Sequence, residues 1–541
     1  MKSTQNTFYR ECVIDRSSVN FMRTTKFYSF LVILIASAVV VNLVALSYLT
    51  TNIIIKNGGK IQIGETPLLY NSEIRGIFLN SRNLFDGPDW DAITDVMLQY
   101  DLNLIVGEFL TIQSAYYDSH YVKHAGATGR DELALALEAA HSKGIKVYVL
   151  DCTVYALDSR TQDVEALGAV RWNSDTEQFE QTTAACPRKA KQHILNLIEE
   201  LITTHPDIDG FIFDFIRYES PYVCYCDECK AAFQEYLNET ITDWSPFVQG
   251  GSRYEEWLEW RIGAINDIVK EGSQILRQHK PSIEIGVAAW TLWEGQPLYW
   301  RKFKGQDTAY WIKEGWIDFV SPMIYECSVE HGGDLEEALN AIKTQLLGDF
   351  AYWSGPEGKV PIIPFLRWEW YVEKGFNITA EEFATQINLV RELGADGWIV
   401  FRYGGPGNCP FDAGYAPDIR EFLQLIDMPA TFSIRKIQVN TSQTSATITW
   451  VTDLPTTSKV EYSIYPLFNA TWNYRESVNF HYWDIDYVGG LIIENNATTT
   501  EHSITLNDLI PGTKYYFRVQ SKNEYGTVTS KVLTFTTKTS T

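Results

Sequence analysis

The chain predicts a (β/α)8 barrel followed by an all-β domain, with a membrane span ahead of both. Three observations predict this. Eight short apolar runs alternate with amphipathic stretches between about residues 74 and 427. From about Pro429 the helical periodicity gives way to strand alternation. Between Lys26 and Lys56 no charged residue occurs.

The charge-free run, residues 27–55, exceeds the roughly 20 residues that a helix needs to cross the hydrocarbon core. Ala36-Ser37-Ala38 resembles a signal-peptidase site, so a cleaved leader is the rival reading. The apolar run nevertheless continues well past it, beyond the roughly 7–15 residues of a leader's apolar region. Arg10, Arg16, Arg23 and Lys26 precede the run. The expectation is a cytoplasmic tail (1–26), a single transmembrane helix in the cell membrane (27–55) and an extracellular remainder. Sequons at Asn238, Asn377, Asn440, Asn469 and Asn496 agree weakly with export.

The eight runs are RGIFLN (75–80), LNLIVGEF (102–109), IKVYVLD (145–151), DGFIFDF (209–215), IEIGVAAW (283–290), IDFVSPMIY (317–325), VPIIPFL (360–366) and GWIVFRY (397–403). Each is rich in β-branched or aromatic residues and apolar on both faces, as strands of a buried parallel sheet are. Between them, ELALALEAAHSKG (132–144) and AKQHILNLIEELITTH (190–205) carry apolar residues at helical spacing. Eight strands with helices between them, over residues 74–427, make a (β/α)8, or TIM, barrel. A doubly wound open sheet is the rival, but no glycine-rich phosphate loop follows the first strand.

Residues 429–541 read as strands: SATITWVT, SKVEYSIYP, HSITLNDLIPGTKYYFRVQSKN and SKVLTFTTK. Trp450 in the second strand and the run Leu509-Ile510-Pro511-Gly512-Thr513-Lys514-Tyr515 resemble a fibronectin type III sandwich. That resemblance implies packing of Leu509 against Tyr515 across a strand corner. A long aromatic-rich insertion lies near residues 465–500.

The formal charge of −23 argues against phosphate-backbone binding, so no nucleic-acid partner is expected. Aromatic residues make up 14% of the chain, with 17 Trp, which leaves room for exposed rings that stack on a ligand.

A (β/α)8 barrel carries its site at the C-terminal ends of the strands. The carboxylates there are Glu108, Asp151, Asp214, Glu326 and Glu369. Crowded acids raise one another's pKa values, and a pair split in this way supplies a proton donor and an anion. The aromatic residues near the same rim are Trp290, Trp293, Tyr325, Trp368 and Trp370, suited to the apolar faces of sugar rings.

The segments RGIFLN, NLIVGEF with SAYYDS, AHSKGIKVYV, DGFIFDFIRY and WIDFVSPMIYE resemble, in that order, the glycosyl-hydrolase-like 10 barrels. The resemblance implies an extracellular glycoside hydrolase acting on a poly- or oligosaccharide. It places Asp214 at the active centre, with Arg217 and Tyr218 completing the motif. Glu219 stands where the family's motif usually continues with Pro, and YVLDC replaces a His-containing third strand. The expected catalytic set is Asp214 with Glu326 or Glu369. Glu108, Asp151, Arg217, Tyr218, Trp290, Tyr325 and Trp368 are expected to bind substrate. A non-catalytic carbohydrate-binding or adhesion protein is the alternative.

Of eight cysteines, Cys224, Cys226 and Cys229 form a C-x-C-x-x-C cluster after the fourth strand. Its spacing favours one metal ion over disulfides, which remain the alternative in an exported protein. The stretch CYCDECKAAF, with Cys186-Pro187 opening a helix, is similar to the zinc clamp of family 42 β-galactosidases. That similarity implies structural zinc held by Cys186, Cys224, Cys226 and Cys229, and no organic cofactor is expected.

Overall fold

A computed structural model describes residues 73–154, 157–158, 163–291, 300–349, 353, 360–369, 378–407, 416–426, 434–475, 480–487, 489–523, 526–530 and 532–539. The proposed tail and membrane span, together with Trp293, Trp370 and Cys409, lie outside these residues. Among the described residues no helix is long and apolar enough to cross a membrane.

Eight parallel strands close on themselves. They are β1 (Ile74–Leu79), β2 (Leu104–Thr111), β3 (Lys146–Cys152), β4 (Gly210–Asp214), β5 (Glu284–Trp290), β6 (Phe319–Ile324), β7 (Phe365–Arg367) and β8 (Gly397–Phe401). Each strand pairs with the next, and β1 pairs with both β8 and β2, so the sheet has no free edge within the ring. Seven of the strands match the apolar runs closely. β7 is shorter than VPIIPFL suggests, because Pro361 and Pro364 have no N–H to give to a ladder. Ile362 joins β6 only through an isolated bridge to Val320.

Helices follow the strands: α1 (Trp90–Gln99), α2 (Glu132–His141), α3 (Pro187–Thr204), α4 (Asp227–Leu237), α5 (Tyr254–His279), α6 (Leu335–Asp349) and α7 (Ala380–Leu393). α3 begins at Pro187, earlier than the periodicity alone suggests, because Pro is tolerated in a first turn that has no donor to lose. The Asp131 carboxylate accepts from Ala134 N at 2.9 Å and starts α2.

Alternation along the strands sorts side chains into two cores. One set, including Ile105, Val147, Phe211 and Ile285, packs under the helices. The other, including Phe78, Val106, Leu150, Ile212 and Ile399, fills the lumen. Large and small residues interlock at the N-terminal end of the lumen. A Cβ on Gly210 would come within 2.6 Å of the Tyr148 ring, and one on Gly286 within 2.2 Å of Phe319. These two rings, 5.8 Å apart, plug the lumen and leave its C-terminal end to polar groups.

The C-terminal domain is a separate antiparallel sheet arrangement built on β9 (Ile434–Thr441), β10 (Ala446–Ser463), β11 (Leu491–Leu506) and β12 (Lys514–Asn523), with two short strands on β12. Trp450 is buried and stacks on His502 with ring centroids 4.8 Å apart. Leu509 and Tyr515 join the same core, and the Tyr515 hydroxyl accepts from Ile510 N at 2.9 Å. Much of the insertion forms its own hairpin, Phe468–Arg475 with Phe480–Tyr487.

The lumen plug makes a direct prediction. Gly286→Ala forces the Phe319 ring to move and should destabilise the barrel by about 1–3 kcal/mol. A thermal melt of the variant with an unchanged midpoint would contradict this packing account.

Candidate active site and metal centre

The lumen register decides which rim residues meet. Phe78, Val106, Cys152, Ile212 and Phe365 face the lumen, so the alternation that continues from them places Asn80, Glu108, Asp214, Arg367 and Glu369 on the same side at the C-terminal rim. β2 carries a register shift against β3 between Gly107 and Leu110, directly at Glu108. Such irregularities re-aim side chains at sites.

Glu108 and Asp214 form one electrostatic unit around Cys152, which pairs with Asp214 across the β3–β4 ladder. Burial pushes the Glu108 carboxyl up to about 7, and the neighbouring Asp214 charge adds to the rise. Ser81 N, which donates to Glu108 Oε2 at 3.2 Å, and the Cys152 thiol oppose it only partly. Burial also raises Asp214, but there the Arg217 guanidinium and the Phe215 N–H hold it back. Asp214 Oδ1 accepts from Phe215 N at 2.6 Å and from Arg217 Nη1 at 3.4 Å. The turn that makes this possible puts Phe215 at φ 48°, a left-handed conformation uncommon for a side chain of its size. Two neighbouring carboxyls thus have different surroundings: burial and the Asp214 charge favour the acid form of Glu108, and Asp214 has an arginine beside it.

Around this pair stand rings and further polar groups. Trp290 is 37% exposed, with the Arg217 guanidinium 5.5 Å from its ring centroid. Tyr325 lies 5.0 Å from the Phe401 ring and 5.3 Å from the Arg367 guanidinium. Glu369 Oε2 accepts from Arg402 Nε at 3.0 Å, and Arg402 Nη1 donates to Asn80 Oδ1 at 3.3 Å. The second oxygen of Glu369, Oε1, is buried and has no hydrogen-bond partner among the described residues.

Four residues expected at the ligand are placed elsewhere. Asp151 precedes the lumen-facing Cys152, and alternation turns it to the helix side; burial pushes its carboxyl up to about 7, and the Asp214 charge adds to the rise. Glu326 is likewise on the outer side, where its oxygens accept from Gln345 Nε2 at 2.6 Å and pair with His331 Nε2 at 2.8 Å. Tyr218 is buried with its hydroxyl on the Arg261 carbonyl at 2.9 Å. Trp368 is buried between Phe383 and Phe422, and its Nε1 donates to Pro417 O at 3.0 Å. Arg261 and Cys152 were missed by the sequence reading, since neither a mid-helix arginine nor a lone strand cysteine carries a spacing signal.

The cysteine cluster is assembled as expected. The sulfurs of Cys186, Cys224, Cys226 and Cys229 all lie within 4.8 Å of one another, and all four residues are buried. Cys186 Sγ is 3.7 Å from Cys226 Sγ and 3.6 Å from Cys229 Sγ. A tetrahedron with Zn–S bonds of about 2.3 Å has sulfur–sulfur edges of about 3.8 Å, whereas a disulfide needs about 2.05 Å. All four thiols are free. Val170 N and Cys226 N point at Cys224 Sγ from 3.4 and 3.5 Å, as amides do toward a thiolate. Burial pushes the Cys224 thiol up, but its hydrogen bonds to the other three cysteines outweigh this and bring it well below the ordinary range. The residues present therefore fit a closed four-sulfur metal site. It binds together a hairpin (Gly168–Asn173 with Gln178–Ala185), the start of α3 and the loop after β4.

Comparison with known proteins follows the same outline. The family profile of glycosyl hydrolase-like 10 matches residues 74–345. The profile of the purple acid phosphatase N-terminal domain matches residues 434–537. The C-terminal domain is therefore all-β as expected, but the family it matches is not fibronectin type III. Glycosyl hydrolase YngK of Bacillus subtilis is 24% identical over 334 residues, covering 56% of this chain and 60% of that protein. Glycosyl hydrolase DigH of Escherichia coli K12 is 21% identical over 224 residues, covering 36% and 46%. The chain spans less than two thirds of the length of either relative. Among solved structures, the glycoside hydrolase domain of PgaB from Bordetella bronchiseptica gives a TM-score of 0.48 at 16% identity, covering 66% of this chain and 100% of that one. The β-galactosidase of Rahnella sp. R3 gives 0.45 at 15% identity, covering 63% and 53%.

The pKa of Glu108 is raised on folding, so its contribution to stability is fully present below its ordinary value of 4.5 and is lost as pH rises through about 7. Glu108→Gln should therefore gain about 1–3 kcal/mol relative to wild type between pH 5 and pH 8, measured by denaturant melts. A difference that does not change with pH would show that Glu108 keeps an ordinary pKa.

Proposed function

The chain belongs to the glycosyl hydrolase-like 10 family, and from that premise we propose that it hydrolyses glycosidic bonds of a poly- or oligosaccharide with Glu108 and Asp214 as the working pair. The observation that carries this is the unequal environment of two adjacent lumen carboxyls. Glu108, protonated near neutral pH, gives its proton to the departing glycosidic oxygen. Asp214, with the Arg217 guanidinium beside it favouring its anion, faces the positive charge that develops on the sugar ring; water then adds to the anomeric carbon and its proton returns to Glu108. Trp290 and Tyr325 support the apolar faces of the sugar. This assignment makes Glu108, expected to bind substrate, the catalytic partner of Asp214 in place of Glu326 or Glu369.

The cysteine centre holds zinc in this reading. With four sulfur ligands it has no open position for substrate, so it braces the loop after Asp214 and takes no part in the reaction. Residues 27–55 anchor the enzyme in the cell membrane with the barrel outside, on the strength of their length and the basic residues before them.

Reducing-sugar release from a panel of polysaccharides tests the assignment. Asp214→Asn and Glu108→Gln should each lower kcat by about 10²–10⁴-fold. For the wild type, kcat/KM should fall as pH rises above about 7, where Glu108 loses its proton. Equal release by wild type and both variants would remove these two residues from the chemistry and favour a carbohydrate-binding role.

A further inference from the structure

Beside the four cysteines lies a buried guanidinium that pairs with no acid among the described residues. Arg261, within α5, is 1% exposed. Its Nη1 donates to the carbonyls of Ser220, at 3.0 Å, and Val223. Its Nη2 donates to those of Lys302, at 3.4 Å, and Phe303. The guanidinium sits 4.5 Å from the Tyr218 ring centroid, and the Tyr218 hydroxyl donates to the carbonyl of Arg261 itself. Among the described residues no carboxylate pairs with this cation; the groups that act on it electrostatically include Tyr218, Tyr225, Tyr254 and Cys224. Carbonyl dipoles offset part of the cost of burying a charge, but a buried cation ordinarily has an anion nearby.

The cysteine centre supplies that anion when a metal occupies it. Four thiolates on one divalent cation leave a net double negative charge, buried and equally in need of compensation. Val223, whose carbonyl Arg261 holds, is the residue next to Cys224. Resting on the metal reading of this centre, we propose that Arg261 is the counter-cation of a buried metal–tetrathiolate and ties it to the loops after β4 and β5. Those loops carry Arg217 and follow Trp290, respectively. They also meet directly, Tyr218 N donating to Lys304 O at 2.7 Å. Arg261 thus acts on the candidate active site only through others, as a positioning residue.

The test is metal retention, not activity. The full-length chain, purified in mild detergent, is loaded with Zn2+ and challenged with a chromophoric chelator. The wild type should hold one zinc per chain. Arg261→Met, which keeps the length and removes the charge, should weaken zinc affinity by roughly 10–100-fold. Arg261→Lys, which keeps the charge and loses the fork, should lose less than Arg261→Met and stay within about tenfold of wild type. Unchanged affinity in Arg261→Met would overturn the proposal, as would equal losses in both variants. If Arg261→Met does not fold, Arg261→Lys decides alone: retention within about tenfold supports the charge role, and a larger loss overturns it. A wild-type chain that binds no zinc would bring down the metal reading itself, and the proposal with it.

Discussion

Everything at the candidate site depends on the closed parallel ladder and its strict alternation. Once β1 pairs with both β2 and β8, every second side chain must enter one lumen. Tyr148 and Phe319 occupy its lower end, with glycines beside them where no Cβ would fit. The acids at the strand ends are then left above an apolar floor, where burial raises the pKa values of Glu108 and Asp214. The chemistry proposed here is a consequence of that geometry more than of any one motif.

The same alternation explains what could and could not be read in advance. Seven strands were legible because each is a short apolar run buried on both faces, and β7 was misjudged because the prolines of its run cannot donate to a ladder. Which rim residues face inward was less so. Trp368 follows Arg367 and must turn to the helices, where Phe383 and Phe422 enclose it. Asp151 precedes a lumen residue and turns outward for the same reason. Glu108 faces the lumen by simple alternation from Val106, but the burial that raises its carboxyl carries no spacing signal, so it was read only as a substrate ligand. Asp214 was legible through its motif, whereas the left-handed Phe215 that fixes its carboxylate was not.

The cysteine centre shows a second limit. Spacing located the C-x-C-x-x-C sulfurs, and the helix-opening Cys186 came from resemblance; the structure brings all four together. Nothing in the spacing pointed to Arg261, more than thirty residues downstream, because a buried arginine within a helix looks like a solvated one until its surroundings are known. The loop between Asp214 and Cys224 is consequently held at both ends: by the turn at Phe215 and by the guanidinium that gathers the Ser220 and Val223 carbonyls. In the C-terminal domain, strand alternation gave the class and the corner packing of Leu509 and Tyr515, while the matching family differs from the expected one.

Burial, with the Asp214 charge adding to it, keeps Glu108 protonated near neutral pH. Infrared difference spectroscopy of the carboxyl band, with Glu108→Gln used to assign it, measures this directly. The account predicts a Glu108 titration near 7 that moves down when Asp214 is replaced by Asn. A Glu108 band that titrates near 4.5 in the wild type, unmoved by that replacement, would contradict it.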